Sequence, residues 1–147
     1  MAKGWAGMNG EIDEVYAAVA AAQAQFATGR AGAFQALWSP AEDVTIFGAF
    51  GGYESGWSAI QPRLAWAASQ FRDGRWEYQP IAAMFGSEIG YTVGLERTAA
   101  LLGGDTLPTT QELRVTHVFR READQWRIVH RHGDPLTATK APSQRDG

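Results

Sequence analysis

The chain of 147 residues contains no cysteine, which rules out a disulfide framework and any metal site built on thiolates. Acidic side chains outnumber Lys and Arg by 16 to 13, so the formal charge is −3. Nucleic-acid binding needs clustered positive charge, and this balance argues against it. The sequence also lacks an apolar run of membrane-spanning length and an apolar stretch of the signal-peptide kind near Met1. We therefore expect a cytoplasmic protein that binds neither nucleic acid nor membrane.

Aromatic side chains are abundant, with six Trp and seven Phe. Rings of this size either fill a hydrophobic core or line a pocket. The apolar fraction of 45% is ordinary for a globular protein, and the length suits a single domain. We expect a flexible segment over 1–9, one domain over 10–135 and a flexible tail over 136–147.

Helical spacing of apolar residues predicts three helices in the first half of the chain. The first is expected to begin near Gly10 and the second near Arg30. A third apolar stripe starts at Trp57 but contains Pro62, which lacks a backbone N–H. Because proline suits the first turn of a helix, we expect the regular helix to begin near Gln61.

The second half of the chain changes to strand patterns separated by short turns. Connections this short favour antiparallel neighbours, and helices followed by strands indicate the α+β class. Strands this long bend at bulges or glycines, for which Gly90 and Gly94 are candidates. We therefore predict a cone-shaped, strongly curved antiparallel sheet with the N-terminal helices packed on its concave side. The predicted strands cover 44–47, 76–85, 89–100, 110–121 and 125–132.

The motif His130-Arg131-His132 ends the last predicted strand. Residues two apart on a strand share a face, so both imidazoles project together. They share that face with Trp126 and Ile128, the more apolar set, so we expect them to face the interior of the cone. A neutral imidazole both donates and accepts hydrogen bonds, which makes the pair a candidate for ligand binding and His130 a candidate catalytic residue. The alternative is a structural role for both.

Arg97 and Arg114 lie on neighbouring predicted strands. Their guanidinium groups suit carboxylates, so a pocket role is one interpretation and a pair of surface or interface ion pairs is the other. Trp38 and Trp57 are candidates for the apolar wall of the pocket, although aromatic residues at helical spacing usually belong to the core.

Asp43 precedes the first predicted strand and is the candidate general base of an isomerase-type mechanism. Its segment also resembles an ordinary polar turn. For metal binding, the histidine pair would need a third ligand such as Asp134 or Glu96, because zinc and iron sites usually have three protein ligands. The remaining histidine, His117, is expected to be packed. We therefore expect no metal and no cofactor.

Three segments carry a resemblance to a known superfamily: Glu96-Arg97-Thr98, Leu113 to Arg121, and Trp126 to His132. They resemble the nuclear-transport-factor-two-like, ketosteroid-isomerase-like cone folds. Within these folds the chain is similar to SnoaL-like proteins and to the association domain of calmodulin-dependent protein kinase II. The resemblance implies the cone fold, a homodimer or larger ring packed through sheet faces, and a pocket reached by Arg97 and Arg114.

Two functional hypotheses follow, because a fold of this kind does not fix a function. In the first, the protein binds a small, mostly hydrophobic molecule with a carbonyl or carboxylate group and acts as an isomerase, cyclase or hydrolase. In the second, it is a non-catalytic association or ligand-sensing domain. Whether the protein is an enzyme stays open at this point.

Overall fold

The computed structural model describes residues 6–142, with side chains from residue 10 onward. The predicted flexible ends fall partly outside this range, at 1–5 and 143–147. Within it, no helix is both long and apolar enough to cross a membrane. The elements are α1 (Ala6–Phe26), α2 (Gly32–Gln35), β1 (Thr45–Phe47), β2 (Glu54–Ser55), α3 (Trp57–Ser69), β3 (Phe71–Phe85), β4 (Ile89–Leu102), β5 (Thr109–Glu122) and β6 (Gln125–Pro135).

The strands form one curved, unclosed sheet in the order β2-β1-β6-β5-β4-β3. The four long strands pair antiparallel, as predicted. The short strand β1 pairs parallel to β6, which the sequence patterns did not indicate. The α+β cone is thus confirmed, with the helices covering the concave face.

Two helices begin earlier than predicted. Helix α1 starts at Ala6 rather than near Gly10. Helix α3 starts at Trp57 and carries Pro62 in its interior, so the predicted start near Gln61 is wrong. The first turn of α3 is held by packing, because Trp57 stacks on the buried Trp38 with ring centroids 6.3 Å apart. This packing offsets the loss of one backbone donor at the proline.

The hydrophobic core lies between the helices and the concave face of the sheet. Its most completely buried side chains come from both layers: Phe34, Trp38, Val44, Ile60 and Ile128. Each fully buried side chain of this size contributes about 1.5–3 kcal/mol to folding. The core thus fixes the position of the helices over the sheet.

A β-bulge interrupts the pairing of β5 with β6. Val118 pairs with His130, but the next residue of β5, Phe119, pairs with Ile128, so Val129 is the extra residue. An extra residue reverses the faces of all residues beyond it. The bulge therefore decides which side chains at the end of β6 reach the interior.

A second bulge lies in β3, between Pro80 and Ala82, beside Gly94 of β4. A Cβ atom at Gly94 would lie 2.3 Å from the ring of Tyr78, so only glycine leaves room for this ring. Tyr78 in turn stacks on Trp76, with ring planes 5° apart and centroids at 5.6 Å. Gly94 thereby helps to set the orientation of Trp76.

Candidate functional site

The helices and the concave face of the sheet surround a cavity of about 80 Å³ that is partly open to solvent. Its walls are mainly apolar, and its polar lining residues include side chains of α1, β3, β4 and β6. We call Gln23, Trp76, Glu96 and Arg131 the polar cluster.

Glu96 and Arg131 form a bidentate ion pair on the cavity wall. Arg131 Nη1 donates to Glu96 Oε2 at 2.8 Å, and Nη2 donates to Oε1 at 2.9 Å. The two side chains are only 3% and 11% exposed, respectively. Gln23 Nε2 adds a hydrogen bond to Glu96 Oε2 at 3.3 Å. Charges this deeply buried need pairing, and the two-bond geometry supplies it.

Both members of this pair are charged at neutral pH. Burial raises the pKa of Glu96, but the charge and hydrogen bonds of Arg131 lower it by more, so the pKa lies below its ordinary value. Burial lowers the pKa of Arg131, whereas Glu96 raises it above its usual value. The pair is therefore locally neutral, because the charge of each residue compensates that of the other.

His117 lies beside this pair on the concave face, opposite Arg131 in the strand register. Its Nε2 lies 3.0 Å from Arg131 Nη1. Burial lowers the pKa of His117 to about 3, and the charge of Arg131 adds to the effect. Because the guanidinium can only donate, Nε2 is the acceptor and the ring proton lies on Nδ1. His117 is thus packed and neutral, as the sequence predicted.

The indole N–H of Trp76 is buried and has no hydrogen-bond partner among the described residues. The indole lies close enough to Glu96 for a weak interaction of the hydrogen-bond type, which is the last of the causes that lower the pKa of that carboxyl group. Its N–H nevertheless lacks hydrogen-bond geometry to that group. An unpaired buried donor costs about 1–3 kcal/mol. On the wall of a cavity, such a donor is available to an acceptor atom of a ligand.

The histidine pair does not face this cavity, and that prediction is wrong. His130 and His132 still share a face, but the bulge at Val129 turns both to the outer face of the sheet. There His130 Nδ1 lies 2.8 Å from Thr45 Oγ1. The ring of Phe47 packs edge-on against both imidazoles, at 5.3 and 5.2 Å. The residue between the histidines, Arg131, is the one that enters the cavity.

The two predicted pocket arginines also lie on the outer face. Arg114 is 59% exposed and forms an ion pair with Asp134 at 2.9 Å. Arg97 lies between Glu77 and Glu112 in the register of neighbouring strands and is exposed. Neither arginine lines the cavity, but Arg114 lines a groove on the outer face together with His132.

The structure does not bring the candidate base to the cavity. The side chain of Asp43 is 63% exposed and forms an ion pair with Arg120 at 2.6 Å. The hydrogen bond from Arg120 lowers the pKa of Asp43. Trp38 and Trp57 stack within the core and are not among the cavity-lining residues.

The structure does not bring together the metal ligands that the sequence suggested. Glu96 faces the cavity, whereas His130 and His132 lie on the opposite side of the sheet. On the outer face, Asp134 Oδ2 lies 3.8 Å from His132 Nε2. Over residues 6–142, no three His, Asp or Glu side chains are grouped to hold a metal ion.

The chain matches the SnoaL-like domain over residues 12–137 and therefore belongs to that family. This match confirms the family that the β-strand motifs indicated. None of the curated proteins compared with the chain matches it.

Solved structures share the fold at low sequence identity. A candidate dehydratase of the NTF2-like family from Streptomyces avermitilis has a TM-score of 0.74 at 18% identity, covering 88% of this chain and 99% of its own. A candidate scytalone dehydratase from Novosphingobium aromaticivorans has a TM-score of 0.73 at 14% identity, covering 89% and 87%. A candidate calcium/calmodulin-dependent protein kinase type II association domain from Thiobacillus denitrificans has a TM-score of 0.62 at 22% identity, covering 85% and 91%. Identities this low establish the fold and not a shared activity.

Proposed function

We propose that the cavity binds a small, mainly apolar molecule through an uncharged carbonyl group. The observation that carries this proposal is the buried, unpaired N–H of Trp76 on the wall of a mostly apolar cavity. A carbonyl oxygen is the simplest partner for such a donor, because it accepts without bringing a charge or a donor of its own. Apolar walls with a few placed polar groups are typical of small-molecule sites.

An uncharged carbonyl fits the polar cluster better than a carboxylate does. The positive charge of Arg131 is already compensated by Glu96, which remains ionised. A ligand carboxylate would be repelled by the buried carboxylate of Glu96 and would also lose its hydration. A guanidinium has five N–H groups, of which three contact Glu96 and His117. The remaining two can assist Trp76 in binding one oxygen atom.

We expect methyl ethyl ketone to bind and butyrate, which is similar in size, not to bind. The test is a titration of ¹⁵N-labelled protein, in which the six Trp side chains supply separate indole signals. The Trp76 signal should move with added ketone. Trp76→Phe should weaken binding roughly 3- to 10-fold, the equivalent of one hydrogen bond between neutral groups.

Trp126→Phe is the matched control. The indole N–H of Trp126 is also buried without a partner among the described residues, but Trp126 does not line the cavity. Its replacement should leave ketone binding unchanged. A Trp76 signal that stays in place at saturating ketone, or equal losses in both variants, would contradict the proposed site.

A second candidate function is a dehydratase or isomerase reaction with Glu96 as the base. It is favoured by the two structural neighbours described as candidate dehydratases and by the position of Glu96 on the cavity wall. The lowered pKa of Glu96 makes it a weak base, and the pKa of His117 near 3 does the same for the imidazole. These values favour binding without proton transfer. Deuterium exchange at the α-carbons of bound ketone, abolished by Glu96→Gln, would instead support the enzyme.

We also propose that the protein forms a homodimer through the outer face of the sheet. This face exposes large apolar side chains, among them Ile81, Met84 and Tyr91. Soluble monomers rarely expose apolar patches of this kind. Charges of both signs, such as Arg114 and Asp134, lie beside them and can pair across a two-fold axis. A second copy of the chain therefore matches this face in both apolar character and charge.

We expect Val93→Glu to convert a dimer into a monomer. Val93 lies on the outer face, where it lines a groove of about 430 Å³ together with Leu95 and His132. Two buried glutamates at a symmetric contact would repel each other and lose hydration. Leu107→Glu, in the highly exposed β4–β5 connection, is the control and should not alter the mass. Light scattering after size-exclusion chromatography measures both, and a monomeric parent protein would refute the dimer.

A further inference from the structure

Four aromatic rings connect the cavity with the surface. Phe26 and Phe71 line the cavity, with ring centroids 6.0 Å apart. Phe50 follows at 5.9 Å from Phe71, and Trp66 lies 5.1 Å from Phe50. Exposure rises over the last three rings, from 5% at Phe71 to 39% at Phe50 and 43% at Trp66. We call these four residues the aromatic row.

Local structure fixes the outer half of the aromatic row. Phe50 lies in a turn that is closed by a hydrogen bond of 3.0 Å from Gly51 N to Gly48 O. Gly51 has φ +95°, which glycine adopts without strain. The guanidinium of Arg63 lies 4.4 Å from the centre of the Trp66 ring. The two rings are therefore held in place although both are partly exposed.

The cavity itself is too small for a large ligand. A dry cavity of about 150 Å³ takes up one benzene ring. The present cavity, at about 80 Å³, has roughly half that volume. A ligand with more than a few carbon atoms has to extend out of the cavity, and the lining residue Phe50 is partly exposed to solvent.

We infer that the aromatic row is a second binding subsite, which holds an unbranched apolar tail of the ligand. The inference rests on the proposed function, since the tail extends from a carbonyl group bound at Trp76. The ligand class is then a linear ketone or aldehyde whose chain leaves the cavity along Phe71, Phe50 and Trp66. Such a chain can pack against either an edge or a face of a ring, because apolar contact is not directional.

A series of methyl ketones with ethyl, butyl and hexyl chains tests the tail subsite. We expect the affinity to keep rising from the butyl to the hexyl ketone, by about twofold to fourfold per methylene, where fourfold corresponds to full burial. The Trp76 indole signal should move with all three ketones. The Trp66 signal should move only with the longer two. Phe50→Ala should remove the gain for the hexyl ketone and reduce the affinity for the ethyl ketone much less, because Phe50 lines the cavity as well as belonging to the aromatic row.

Phe47→Ala is the matched control, because Phe47 is similarly exposed, at 43%, but lies on the outer face. It should not alter the chain-length dependence. If the Trp76 signal moves while affinity stays constant beyond the ethyl ketone, the tail subsite is refuted and the proposed carbonyl site is kept. If no ketone moves the Trp76 signal, the proposed function fails, and the tail subsite fails with it.

Discussion

Arg131→Met should destabilise the protein by about 3–5 kcal/mol, the largest effect that we expect from a single substitution. The variant leaves the carboxylate of Glu96 buried without the two hydrogen bonds that now compensate it, so this group has to carry an unpaired charge or take up a proton. Methionine fills similar space, so the loss arises from the unpaired charge rather than from a cavity. Chemical denaturation followed by circular dichroism measures the change in the free energy of unfolding.

Two further variants test whether the loss of stability comes from the unpaired carboxylate of Glu96 or from the removal of an arginine as such. Arg114→Met removes an exposed ion pair with Asp134 and should cost at most about 1 kcal/mol. The double variant Glu96→Gln, Arg131→Met should recover most of the lost stability, because it removes both buried charges. Equal effects of Arg131→Met and Arg114→Met would contradict the buried ion pair.

Lowering the pH from 7 to 5 should reduce the free energy of unfolding by about 2 kcal/mol through His117 alone. The imidazole has an ordinary pKa near 6.5 in the unfolded chain and a pKa of about 3 in the folded protein. The unfolded state therefore binds a proton first as the pH falls through 6.5, and stability decreases until the pH reaches about 3. Glu96 acts in the same direction only at lower pH, since its pKa is already below the ordinary carboxyl value.

His117→Gln should flatten this pH dependence, because the amide oxygen can accept from Arg131 but does not titrate. His130→Gln is the comparison. Burial lowers the pKa of His130, followed by the charge of His132, but the ring is only partly buried. This variant should therefore retain most of the slope. Denaturation at several pH values between 5 and 7 measures both, and an unchanged slope in His117→Gln would show that another group is responsible.

Most of the fold could be predicted because its signals are local. Alternation of polar and apolar residues gave the four long strands, and short turns gave their antiparallel order. The parallel pairing of β1 with β6 depends on contacts between residues about 85 positions apart, such as Thr45 and His130, which periodicity does not report. The start of α3 was misplaced because the packing of Trp57 on Trp38 is also a tertiary contact.

The cavity residues were harder to predict, because the usual assignment of faces fails on β4. Its more apolar face carries Tyr91, Val93 and Leu95 but lies on the outside. The face toward the helices carries small and polar residues such as Gly94, whose missing side chain leaves room for the ring of Tyr78, and Glu96, which lines the cavity. Thr92 and Thr98 lie on the same face of β4 as these residues. This pattern of small and polar side chains is the signal in the sequence that could have indicated Glu96. A sheet with apolar side chains on both faces cannot be oriented from one strand alone.

The extra residue at Val129 has a consequence for comparing members of this family. Two proteins can share the string Trp-x-x-Val-His-x-His and still present opposite side chains to their cavities. This happens if only one of them has a β-bulge within the string. Here the string places arginine inside and both imidazoles outside. Transfer of a residue's role between relatives therefore requires the hydrogen-bond register of β5 and β6, in addition to the aligned letters.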